Sequence, residues 1–265
     1  MKKNPTIDLI LEYKREEVKF LKETYSLRDL EEKVACRDRA FPLITAMAEE
    51  NDGFRVIAEI KRSSPFTCFK PVGFDPASIA RSYQLAGAAA VSVVTESRFF
   101  AGSSAYIPIV KSAISIPVLR KDFIVDKWQV AESAALGADV VLLMAINHES
   151  CSEFREIYEY TLSIGIEPLV EVHSEDEWRL VEPVQPKLVG INNRDFYAPD
   201  LKVDLNTSLN LAPKLPADVT IVSESGISNK GHLNKLRSAG VSGFLIGSSL
   251  MQGDDPGVEL AKLLS

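Results

Sequence analysis

The chain has 265 residues and a formal net charge of -7, from 30 Lys and Arg against 37 Asp and Glu. That balance suits a soluble protein and argues against a nucleic-acid partner, whose binders present a basic face. No run approaches the roughly 18 apolar residues of a membrane span, the opening MKKNPTIDLILEYKREE has too short an apolar stretch for a signal peptide, and Cys36, Cys68 and Cys151 lack the pairing of a zinc or redox motif.

The expectation is a cytoplasmic protein with no membrane association, built as one domain over 1–265, since α/β barrels run to about 250 residues. Ile7, Ile10, Leu11, Val18 and Leu21 recur at helical spacing, and Ser26-Leu27-Arg28-Asp29 opens a second helical pattern. Residues 1–50 therefore read as an N-terminal helical extension, either a cap on the bottom of the barrel or a lid over its top. Eight short apolar runs come next, at 56–61, 89–94, 117–123, 138–144, 167–172, 188–193, 220–224 and 243–246. Amphipathic stretches separate them, the βαβα pattern of a parallel sheet with helical crossovers. Asp75-Pro76 and Ser174-Glu175-Asp176-Glu177 mark helix starts, and Gly87, Gly137, Gly165 and Gly240 fall where helices end. Eight such units predict an α/β fold of the (βα)8 TIM-barrel type.

The strand ends carry charge that a core does not need. In VIAEIKR, alternation puts Glu59 and Lys61 on one side and Ala58, Ile60 and Arg62 on the other. Lys121 falls in line with Leu119 and Phe123, Glu171 closes PLVEVH, Asn192 aligns with Arg194, and Glu224 aligns with Val222. In a parallel barrel all of these converge at the carboxyl ends of the strands, where active sites lie. Burying six such groups merely to fill the barrel carries a large desolvation cost, which favours a site. Ser225-Gly226 after the seventh run and Gly247-Ser248-Ser249 after the eighth occupy the positions where barrels hold phosphate on glycine amides and a short helix's N-terminus. Ser64 is a candidate for a further hydroxyl. Phe99, Phe100, Phe123 and Trp128 suit either an aromatic substrate or ordinary packing. His148, His173 and His232 share no metal-ligand spacing, so no metal is expected, and His173 reads as a loop residue rather than a base.

With AEIKRSSP, FFAGS, PVLRKDFIVD, GINNRD, SESGI and LIGSSLM in view, the chain resembles the indole-3-glycerol phosphate synthase family of tryptophan biosynthesis. ILEYKREEV is similar to that family's N-terminal helical extension. The resemblance implies a cofactor-free carbon-carbon lyase. Its substrate would be an anthranilate-derived sugar phosphate, 1-(2-carboxyphenylamino)-1-deoxyribulose 5-phosphate, converted to indole-3-glycerol phosphate with loss of carbon dioxide and water. It also implies that Lys121 is the general acid, Lys61 a second lysine at the substrate carboxylate, and Glu171 the base or stabiliser of later steps. Glu59 would orient a lysine, Asn192 would position the reacting ring, and Glu224 would join the same polar group. Ser64, Ser225, Gly226, Gly247 and Ser248 would hold phosphate, Arg194 would border the site, and Phe100, Phe123 and Leu142 would contact the ring.

Docking with other tryptophan-pathway enzymes stays open, as do a paralogous barrel with altered substrate and a descendant that only binds. The chain departs from the family after the first strand. Where the family reads SPSKG, this sequence has Ser64-Pro65-Phe66-Thr67-Cys68, a bulkier loop that either alters closure and rate or is neutral drift.

Overall fold

Each of the eight apolar runs is a strand in the computed structural model, which describes residues 3–48, 53–64, 67–68 and 74–265, with the backbone alone at 64, 67 and 68. They are β1 (Arg55–Ile60), β2 (Ala90–Val94), β3 (Val118–Lys121) and β4 (Val140–Met144). The circuit continues with β5 (Glu167–Val172), β6 (Leu188–Asn192), β7 (Thr220–Glu224) and β8 (Gly243–Ile246). They follow one another around a closed parallel barrel, and β8 pairs back onto β1 with Ala58 opposite Ile246. The strands are buried almost throughout, as a parallel sheet covered on both faces demands.

Alternation divides their side chains between two cores. Val56, Ala58 and Ile60 of β1 pack outward with the helices, whereas Ile57, Leu119, Leu142, Leu169, Val222 and Leu245 fill the barrel. Glu59 is thereby on the inner face, as the sequence pattern requires. β3 stops two residues short of its expected end, because the Asp122 carboxylate accepts the Phe123 N–H at 2.8 Å and the Thr95 hydroxyl at 2.6 Å in place of further ladder bonds.

The crossovers are α4 (Pro76–Leu85), α5 (Tyr106–Lys111), α6 (Lys127–Ala135), α7 (Cys151–Ser163), α8 (Glu175–Val181), α9 (Asn206–Leu211) and α10 (Lys230–Ser238), and α11 (Pro256–Leu264) follows β8 and packs beside α4. Asp75 and Ser174 cap α4 and α8 as expected, accepting from the N–H groups of Ala77 and Glu177. Gly87, Gly137, Gly165 and Gly240 all take positive φ just past a helix, where a side chain would be strained.

The extension reaches both ends of the barrel. It comprises α1 (Pro5–Thr24), α2 (Leu27–Ala35) and α3 (Leu43–Ala48). α1 lies over the carboxyl ends of the strands, with Ile7 and Ile10 in the wall of the cavity there. Its N-cap Asn4 is tied to the loop after β6 by bonds from its backbone N–H to Phe196 O and from its side chain to Ala198 O. α3 closes the opposite end: the N–H groups of Leu43 and Ile44 donate to Glu167, the first residue of β5, and Met47 packs at Gly243, the first of β8. Between them, α2 runs down the outside of α6, capped by a reciprocal Ser26–Asp29 box.

Trp128 joins these pieces. It is 1% exposed, packs with Val18, Leu30 and Ala131, and donates its indole N–H to Tyr25 O at 2.7 Å. It therefore belongs to the anchor of the extension and not to a substrate pocket. Trp128→Ala should lower stability by about 3–5 kcal/mol, read by urea unfolding; a loss below about 0.5 kcal/mol, the range of surface substitutions, would contradict the anchoring role.

Candidate active site

The carboxyl ends of the strands and α1 enclose a cavity of about 320 Å³. Glu59, Lys61, Lys121, Asn192 and Glu224 all reach it, which follows from their inward register at strand ends. Glu171 lies behind Lys121, fully buried. Lys121 Nζ is 2.8 Å from Glu171 Oε2 and 3.3 Å from Glu224 Oε2. A second pair, Lys61 with Glu59 at 2.8 Å, stands at the end of β1. Asn192 donates to Glu171 Oε1 at 3.1 Å and accepts the Arg194 N–H at 3.0 Å, so one amide fixes the carboxylate and the start of the next loop.

Room for these carboxylates comes from missing side chains. A Cβ on Gly190 would fall on Glu224 Oε1, and one on Gly247 would fall on Glu59 Oε1. Gly190 and Gly247 are thus steric complements of the acidic groups, and Gly247 has this duty whatever else it binds.

The charges set one another's protonation. Burial alone would lower the Lys121 pKa, but Glu171, Glu224 and Glu59 outweigh it and hold the ammonium well above the ordinary lysine range. Burial would raise Glu171, yet Lys121 first and His173 second keep it far below the usual carboxylate range. Glu224, desolvated and facing ionised Glu171, is pushed up to about 8 against the pull of Lys121. Two neighbouring buried carboxyls with one ammonium thus divide their roles, one ionised and one protonated near neutral pH.

The remaining expected residues assemble around this centre. Phe100, Phe123, Leu142 and Arg194 line the cavity, and so do Ser225, Gly226, Gly247 and Ser248. Ser225 and Gly226 both have left-handed φ, +68° and +78°, turning the chain sharply at the end of β7. Ser249 Oγ donates to Ile227 O at 2.9 Å and ties the loops after β7 and β8 together. A turn at 248–252 follows β8, not the short helix expected there. Phe99 packs edge-on against Tyr13 of α1, outside the cavity. The backbone of Ser64 belongs to a two-rung hairpin, 63–64 with 67–68; its side chain and Pro65, Phe66 and Phe69 to Gly73 lie outside the described residues.

Sequence reasoning missed several contributors. Glu96 lines the cavity and accepts the N–H groups of Arg98, Phe99 and Phe100, organising the FFAGS turn; an acidic residue just past a strand and before a glycine was the available signal. Thr6, Ile7 and Ile10 of α1 also form its wall. Asn193, beside Asn192, points the other way and binds Ser223 Oγ, Glu224 O and Ser225 O, bracing the loop after β7. His173 does lie just past β5, but buried, within 2.9 Å of Glu177 and 3.1 Å of Glu171.

Comparison with known proteins identifies the family. The model of the indole-3-glycerol phosphate synthase family matches residues 7–263. The chain is 39% identical over 261 residues to the indole-3-glycerol phosphate synthase of Sulfurimonas denitrificans, covering 97% of both chains. It is 38% identical over 258 residues to that of Burkholderia vietnamiensis, covering 97% of this chain and 98% of the other. Among solved structures it is similar to thiamine phosphate pyrophosphorylase from Pyrococcus furiosus, with a TM-score of 0.57, 17% identity, and coverage of 79% of this chain and 93% of that one; at this identity the likeness is one of fold.

The raised Glu224 has a consequence for stability. Its folded pKa of about 8 exceeds the ordinary value of 4.5, so the stability it contributes is complete below about 4.5 and is lost as pH rises through 8. Glu224→Gln removes that loss. Urea unfolding should show the variant gaining on the parent between pH about 5 and about 8; parallel pH profiles would show that Glu224 ionises normally.

Proposed function

The chain belongs to the indole-3-glycerol phosphate synthase family, and from that premise we propose how its residues divide the work of closing, decarboxylating and dehydrating 1-(2-carboxyphenylamino)-1-deoxyribulose 5-phosphate. The protein is a carbon-carbon lyase that builds the indole ring. The observation that carries the assignment of roles is Lys121 held between Glu171 and Glu224 at the cavity floor.

Attack of the aryl carbon on the ketone builds negative charge on the carbonyl oxygen. The Lys121 ammonium, kept charged by its carboxylates, stabilises that oxyanion and delivers a proton to it, since an alkoxide is more basic than an amine. The cyclised intermediate carries positive charge at nitrogen, which drives decarboxylation. Ionised Glu171 stabilises this cation and takes the ring proton in the dehydration. Lys61, paired with Glu59, attracts the substrate carboxylate and acts in proton transfer as the hydroxyl leaves as water. Glu224, protonated near neutral pH, donates where Glu171 accepts. Asn192 holds Glu171 and the reacting ring in register.

The other cavity residues serve binding. Ser225, Gly226, Gly247 and Ser248 take the phosphate, and Phe100, Phe123 and Leu142 cover the anthranilate ring while Arg194 closes the rim; Ser64 is assigned to the phosphate on the family pattern alone. Ile7 and Ile10 roof the site, which supports reading the extension and the barrel as one functional domain. No described helix is long and apolar enough to cross a membrane. A cytoplasmic setting is the reading that suits the exposed free thiol of Cys36.

Lys121→Ala should reduce kcat by at least about 100-fold, the usual scale of a lost general acid, with phosphate affinity retained. Conversion of the carboxyphenylamino sugar phosphate, followed by indole fluorescence, measures it. Turnover near the parent's rate would remove Lys121 from the acid role; an inactive parent that still binds the substrate would favour a binding-only descendant.

A further inference from the structure

Beyond the cavity wall, a chain of buried polar groups leads away from Lys121. Glu171 contacts Lys121 through Oε2, and its Oε1 faces His173 Nε2 at 3.1 Å. His173 Nδ1 is 2.9 Å from Glu177 Oε2, which also accepts the His173 backbone N–H at 2.7 Å. Tyr197 donates its hydroxyl to Glu177 Oε1 at 2.6 Å. The His173 ring packs on Phe196 with centroids 4.5 Å apart, so it has little freedom to turn.

The ring's surroundings fix its protonation by geometry. Each imidazole nitrogen faces a carboxylate, and an ionised carboxylate only accepts hydrogen bonds. Nδ1 hydrogen-bonds Glu177, whereas Nε2, 3.1 Å from Glu171 Oε1, lies off the line of a hydrogen bond, so Glu171 acts on the ring through charge and favours the imidazolium. Burial opposes the charge, but Glu177 and Glu171 overcome it and hold His173 at about 10. Glu177 makes a further choice. Ser174 caps α8 by accepting its N–H, yet its carboxylate bonds one residue before the cap, at His173, in place of the usual return to the cap's own N–H. The groups facing this unit are Glu171 of β5, with Lys121 of β3 and Glu224 of β7 behind it, and Glu177 of α8 with Tyr197 and Asp195 of the loop after β6.

We infer that His173, clamped as an imidazolium by Glu177 and Tyr197, is a positioning residue that holds Glu171 ionised and oriented toward Lys121. The inference rests on the base role given above to Glu171. A merely structural His173 would pack equally well as a neutral ring. A charged one sets the pH range in which Glu171 works.

Nitrogen NMR of the His173 ring and pH–rate profiles together test it. In the parent, both ring nitrogens should stay protonated to beyond pH about 8, and Glu177→Gln should return the ring to titration near the ordinary value of about 6.5. His173→Gln, with circular dichroism matching the parent, should lower kcat at neutral pH by about tenfold or more with KM changed little, and should move the acid limb of kcat/KM upward by about one pH unit. A neutral ring in the parent at pH about 7, half a unit above the ordinary value, would overturn the inference, as would an unshifted acid limb in His173→Gln. An inactive parent whose ring is still charged would instead overturn the base role of Glu171, and with it the catalytic meaning of the clamp.

Discussion

The structure depends on keeping one ammonium, Lys121, among buried carboxylates at the inner end of a barrel. A lone buried charge is expensive, and removing one partner of a buried pair typically costs about 3–5 kcal/mol. The surrounding sequence meets that demand with two carboxyl groups within 3.3 Å of the nitrogen, Glu171 ionised and nearer than Glu224, and an amide on Glu171 from Asn192. Glycines sit where any side chain would collide, at Gly190 under Glu224 and at Gly247 under Glu59. The same crowding separates the two acids into an ionised and a protonated member, which is the arrangement a reaction with both proton uptake and proton release needs.

The roof is bound to this centre by charge as well as by apolar contact. Lys14 of α1 is 2% exposed and pairs with Asp122 at 3.0 Å. Asp122 follows Lys121 directly and is also bound by Arg120 at 3.2 Å, which reaches Glu132 on α6 at 2.6 Å. The helix over the cavity therefore shares a buried ionic network with the strand that carries the central lysine. The lower end of the barrel is closed differently, by backbone N–H groups of α3 on Glu167. The extension is consequently held at both ends of the barrel and along its flank by Trp128.

Much of this was legible from the residues. Parallel strands buried on both faces show as continuous apolar runs, so all eight were found within two residues or so of their ends. Charges interrupting those runs at one end marked the site, and alternation gave Glu59 and Lys61 their common side. Helical spacing in 7–21 identified a buried face but not its partner, so the placement of the leader at both ends stayed hidden until Ile7 was seen beside the cavity and Met47 beside Gly243. Trp128 carried no local sign that Tyr25 would cap its indole, because the partner lies 103 residues away. His173 shares a side with Glu171 by strand alternation, yet its meaning came from Glu177 across a helix cap. The unusual Phe66-Thr67-Cys68 sequence lies largely outside the described residues.

The most direct test of the central charge cluster is the ionisation of Lys121 itself, followed by nitrogen NMR of its side chain in the unliganded protein as pH is raised. The arrangement of Glu171, Glu224 and Glu59 around it predicts an ammonium that persists beyond the ordinary lysine value of about 10.4. Titration at or below that value would mean that burial outweighs the carboxylates, and the central claim would fall.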